Sequence, residues 1–158
     1  PGGWGGDAAG AAVRALEQAV VPSEAARDLV RASWEQVKTG GMEAMERALY
    51  ARTFELFPPG AAVLGKRFGR IVMVLGEAVS GKRDISKVVA KLKTMGARHI
   101  NYDTAPEQFP VLGQALDRAL LDILGGAYTE EVRTAWAAMY LYISQVMIEG
   151  LQEAQEIS

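Results

Sequence analysis

Apolar residues recur along most of this chain at intervals of three and four, the spacing that gathers them on one face of an α-helix. The first clean run opens at Ser23 and carries Ala26, Leu29, Val30, Trp34 and Val37 on one stripe, with charged residues between them. Serine caps helix starts and glycine ends helices, so Ser23 and the pair Gly40 and Gly41 predict the limits of this helix. The segment MEAMERALYARTFELF follows, with Met45, Leu49, Phe54 and Phe57 expected to face inward, and Pro58 with Pro59 is expected to break it. After the connection PPGAAVLGK, helices are predicted for RFGRIVMVLGEAV, for ISKVVAKLKTMGARH behind Asp84, and for FPVLGQALDRALLDIL up to Gly125 and Gly126. A final long helix starts at Thr129, with Glu130 and Glu131 in its first turn, and runs to about Gln155. Its segment AWAAMYLYISQVMI is apolar almost all round and belongs in the centre of the fold.

No stretch alternates with the two-residue period of a strand, and no internal repeat is present, so the expected class is all-α. Residues 1–22 read as an N-terminal extension and 23–158 as one domain. Within the extension, Asp7 caps a short amphipathic piece with Val13, Leu16 and Val20 at helical spacing.

Length and composition then remove several function classes. A chain of 158 residues closes one core and has no room for a second catalytic or reductase module. Its 17 Lys and Arg against 19 Asp and Glu form no basic stripe, which argues against a nucleic-acid partner. No apolar run reaches the roughly 20 residues needed to span a bilayer, and the Gly- and Ala-rich start lacks the regions of a signal peptide. The expectation is a soluble, cytoplasmic protein with no membrane partner. Cysteine is absent, which excludes thiol catalysis, disulfides and thiolate metal sites. The chain opens on Pro1, as a processed chain or a domain of a longer one would.

The chemistry centres on one residue. His99 is the only histidine, and Ile85, Val88, Val89, Leu92, Met95, Gly96 and His99 fall within a sector of about 120° when laid out at helical pitch. Its imidazole therefore points into the core. Two roles are open to such a residue: a core histidine bonded to a carbonyl or side chain, or a metal ligand. A zinc site needs several His, Cys or carboxylate ligands, and the chain has neither a second histidine nor a cysteine. Nothing nearby marks a catalytic nucleophile. Haem is the metal arrangement that works with a single protein ligand, because the macrocycle brings four nitrogens of its own.

The segment GARHINYDTAPEQFPVLGQAL resembles the proximal segment of globins of the bacterial and algal single-domain kind, related to flavohaemoglobins and neuroglobins. LGGAYTEEVRTAWAAMYLYISQVMI, with Trp136, Tyr140 and Ile143, is similar to the last helix of that family. LVRASWEQV, with Trp34, resembles its first helix, and LYARTFELFPP its second and third. The likeness covers residues 23 to about 152. It implies a globin fold of about six to eight helices with a haem pocket between distal and proximal helices. It further implies haem b (iron protoporphyrin IX) as cofactor, with His99 as the iron ligand through Nε2. Leu92, Met95, Phe109, Leu112 and Met147 match positions that wall the macrocycle, Arg98 matches a basic residue at its edge, and Tyr102 stands in the turn after the ligand. On the distal side, Tyr50 matches a tyrosine that donates to bound dioxygen. Arg67 falls at the distal gate, with Lys66 as its alternative, and Ile71 lies one turn further in.

Two departures from the family pattern bear on function. The stretch from Pro59 to Arg67 is about seven residues shorter than such globins use for the corner before the distal helix. The corner phenylalanine of the family would fall on Leu64, flanked by Phe57 and Phe68. Flavohaemoglobins place Tyr and Glu where this chain has Phe109 and Leu151, a polar pair that makes the proximal imidazole more electron-rich. Their loss favours reversible binding of a diatomic gas (O2, NO or CO), as carrier, store or sensor head, over redox turnover. The alternative is a nitric oxide dioxygenase or other redox globin served by a separate reductase or fused partner domain, and a third reading is a globin-fold module that has lost haem.

Overall fold

The Ser23 hydroxyl accepts the Ala26 N–H at 3.1 Å, closing the first turn of helix α1 (Glu24–Gly40), which buries Val30, Ser33, Trp34 and Val37. The computed structural model describes residues 21–64, 67–80, 89–94 and 108–157. Gly41 follows α1 at φ 98°, a conformation that an L side chain strains to adopt. That single residue turns the chain directly into α2 (Met42–Leu56).

Two expectations fail here for a physical reason. α2 buries Met45, Leu49 and Thr53, but Phe54 is 53% exposed. Nine residues separate Met45 from Phe54, which is half a revolution at helical pitch, so the two lie on opposite faces. Phe57 leaves the helix as its C-terminal cap and is only half-buried. The prolines do end α2, yet the connection after them is itself helical, because α3 (Pro58–Leu64) starts at once. A proline costs little in a first helical turn, where its missing N–H has no intrahelical acceptor.

α4 (Phe68–Ser80) turns Phe68, Val72, Leu75, Gly76, Ala78 and Val79 inward. Residues 89–94 are helical and bury Leu92. α5 (Gln108–Leu124) buries Phe109, Ala115, Leu116, Ala119 and Leu120. It passes through a 3-10 turn, Gly125–Ala127, with Gly125 at φ 55°, into α6 (Glu130–Ile157). Thr129 Oγ1 accepts the Val132 N–H at 3.3 Å, the capping role its sequence position predicts. No strand occurs among the described residues, and no described helix is long and apolar enough to cross a membrane.

α2 lies along α5, α1 lies along α6, and α4 packs on both α1 and α2. Their inward faces form one hydrophobic cluster. At its heart Trp34 and Trp136 meet with ring centroids 5.8 Å apart. The Trp136 indole N–H donates to Ser33 Oγ at 2.8 Å, and the Ser33 hydroxyl donates to the Val30 carbonyl at 2.8 Å. Every polar atom carried inward at this crossing is thus satisfied. The α5–α6 corner is held by Asp117, which accepts from Tyr128 Oη at 2.6 Å and from both arms of Arg133 at 2.9 and 2.5 Å. Burial, reinforced by that bond, raises the Tyr128 pKa, so the hydroxyl stays protonated and keeps donating.

Candidate functional site

The apolar residues assigned to the site come from four separate elements. Phe68 and Ile71 stand one turn apart on α4, Leu92 on the 89–94 stretch, Phe109 and Leu112 at the start of α5, and Met147 on α6. Phe68, Leu92, Phe109 and Met147 belong to the buried cluster, and Ile71 and Leu112 pack against it while keeping part of their surface accessible. These six apolar residues, from distant parts of the chain, thus form or pack against one buried cluster. That chemistry suits the faces of a flat macrocycle, which needs van der Waals contact and one axial nitrogen rather than many polar groups.

A polar contact that periodicity does not reveal fixes the α5 part of this wall. Tyr140 Oη on α6 donates to the Phe109 carbonyl oxygen at 2.6 Å. Its ring occupies the space beside Gly113, where an added Cβ would approach the ring to 2.7 Å. Burial raises the Tyr140 pKa, so this donor also stays protonated.

The 89–94 stretch is held from two sides. Lys91 pairs with Glu77 of α4. Lys93 Nζ lies 3.4 Å from Glu153 and 3.8 Å from Glu149 of α6, and its backbone abuts Gly150. His99 itself, with Met95, Arg98 and Tyr102, lies outside the described residues, as does Lys66.

On the α2 side, Tyr50 is 43% exposed. Its ring meets Phe68 edge-on with centroids 5.3 Å apart and stacks along Phe54 at 6.3 Å. Arg67 is half-buried just before α4 and engages partners of its own. Of the aromatic candidates for the shortened corner, Phe68 is buried and Phe57 half-buried. The corner itself is helix α3. Phe109 and Leu151, where the resemblance leads one to expect polar groups, are both buried, at 8% and 1% exposure.

The sequence model of the globin family matches residues 48–147, more than half of the chain and the part that contains this apolar wall. The chain belongs to the globin family. This globin is 32% identical over 140 residues to a "Globin, polymeric component P3" from Glycera dibranchiata, an alignment spanning 78% of this chain and 92% of that protein. It is 25% identical over 139 residues to a "Flavohemoprotein" from Pseudomonas aeruginosa, covering 81% of this chain but 34% of the relative. A second "Flavohemoprotein", from Oceanobacillus iheyensis, is 28% identical over 76 residues, or 48% of this chain and 19% of the relative. The globin thus spans about a third or less of the flavohaemoproteins it resembles, and most of the Glycera dibranchiata globin.

Proposed function

We propose that this globin holds haem b through Nε2 of His99 and binds dioxygen or another diatomic gas reversibly, as a carrier, store or sensor head. The observation that carries the reading is the wall just described: six apolar side chains from four elements, in a family of haem proteins, in a chain with one imidazole. Haem, when bound, would supply the iron chemistry that binds the gas, and His99 would hold it. The chain's own residues do the rest. His99 would offer the Nε2 lone pair, with its Nδ1–H donating a hydrogen bond to a backbone carbonyl earlier in the chain, near Met95, which would fix the tautomer. Leu92, Phe109, Leu112 and Met147 exclude water from the macrocycle. Tyr50 donates a hydrogen bond to the gas, and Arg67 stands at the entrance as a gate or anion contact.

The buried Phe109 and Leu151 support gas binding over redox turnover, because neither side chain offers a polar group to hydrogen-bond the proximal imidazole and make it more electron-rich. The likeness to flavohaemoproteins favours a second reading, nitric oxide dioxygenation with electrons from a separate reductase. Absorption spectra of the purified ferrous protein, with and without carbon monoxide, test the first reading. An intense Soret band that shifts with carbon monoxide, and that His99→Ala weakens, is expected. A protein that takes up no haem, or a His99→Ala variant with native Soret intensity and affinity, overturns it. Fast consumption of nitric oxide by the oxygenated protein would select the second reading.

A further inference from the structure

Gly150 sits inside α6, where glycine weakens a helix relative to alanine. Its neighbour explains the residue. The backbone of Lys93 lies so close that a Cβ at position 150 would overlap the Lys93 carbonyl oxygen and stand 3.0 Å from its Cα. Backbone does not yield to such an overlap as the end of a flexible side chain would. Glu149 and Glu153 flank this contact on α6 and both reach Lys93 Nζ, at 3.8 and 3.4 Å. Lys91, two residues earlier, pairs with Glu77 on α4. One helical turn is thus seated on α6 at a glycine and tethered on both sides.

We propose that Gly150 is a positioning residue for the proximal iron ligand. By admitting the residue-93 backbone against α6, it fixes the turn from which the chain runs to His99, five residues beyond Thr94, and so sets the strain on the iron–imidazole bond. The inference rests on the haem-binding reading. Gly150 acts through the 89–94 turn and touches neither iron nor gas.

Resonance Raman spectroscopy of the ferrous protein without added gas reads that strain directly, in the iron–histidine stretching band. Gly150→Ala is expected to displace the band and to speed haem loss to an excess of a scavenging acceptor protein by about tenfold or more, a factor equal to about 1.4 kcal/mol. Leu120→Ala serves as the control. It opens a cavity in the fully buried part of α5, about three helical turns from Phe109, and is expected to lower stability while leaving the band in place. A Gly150→Ala protein with native helix content and an undisplaced band overturns the inference and leaves the haem reading standing. If Gly150→Ala does not fold, Lys93→Met decides: a smaller but resolved displacement supports the inference, and a wild-type band overturns it. A wild-type protein with no Soret band overturns the haem reading itself and takes this inference with it.

Discussion

The Tyr140 hydroxyl on α6 and the Phe109 carbonyl on α5 are joined by a 2.6 Å hydrogen bond, and the ring between them fills the place a side chain at Gly113 would need. The opening turns of α5, which carry Phe109 and Leu112, are therefore registered on α6 by one bond and one ring. Tyr140→Phe keeps the ring and removes the bond. The expected loss is about 0.5–1.5 kcal/mol of unfolding free energy, with the urea slope unchanged because the exposed surface is the same. An unchanged urea midpoint would show that the bond contributes nothing.

Ser33→Ala is expected to cost more. It strips the acceptor from the Trp136 indole N–H, which then stays buried without a partner, at about 1–3 kcal/mol. For a chain of this size that lowers the melting temperature by roughly 2–4 °C per kcal/mol. A variant that melts with the wild type would mean that the indole finds another acceptor.

Acid stability should depend on Asp122. The hydrogen bond from Arg52 holds its carboxyl below the usual carboxylate range, against a smaller opposing effect of burial, and the contacts are 2.6 and 2.7 Å. Because the folded pKa is the lower one, the stabilisation is present above the unfolded value of about 3.9 and is lost as pH falls through the folded value. Asp122→Asn removes it at every pH. The gap in urea midpoint between wild type and variant is therefore expected to be open at pH near 5 and to shrink on acidification below about 4. A gap independent of pH would contradict the assignment.

The ferrous iron is expected to be five-coordinate before gas is added. His99 is the only imidazole, so a bis-histidyl state cannot form, and a guanidinium such as Arg67 keeps its proton and offers no lone pair. Lys66 would have to lose a proton whose reference pKa is about 10.4. A sharp, split low-spin spectrum that persists when Tyr50 and Lys66 are each replaced would show that another group takes the sixth position.

Much of this was legible in the sequence, and the limits have identifiable causes. The Ser23 and Thr129 caps, the Gly41 turn, the inward face of α1 and the buried middle of α6 all follow from interactions between residues a few positions apart. Phe54 was misread because an apolar residue near a helical stripe is not necessarily on it, and half a turn puts it in solvent. α3 was missed because two prolines mark a helix end as readily as a helix start. In the site, the apolar character of Leu92, Phe109 and Met147 was visible, but their supports were not. Tyr140 reaches Phe109 across 31 positions, and Gly150 meets Lys93 through a fold that local periodicity does not encode.

Along α6 the contacts are segregated. Arg133, Trp136 and Tyr140 bind it to α5 and α1, whereas Glu149, Gly150 and Glu153 bind it to the 89–94 turn. Trp136 and Gly150 are about 21 Å apart along the helix axis, beyond the range at which substitutions usually couple. One helix thus makes two separate sets of contacts, to α1 and α5 near its start and to the 89–94 turn near its end. Under the role proposed for Gly150, substitutions at the far end would change how the proximal side is held while the Trp136–Ser33 joint is left alone.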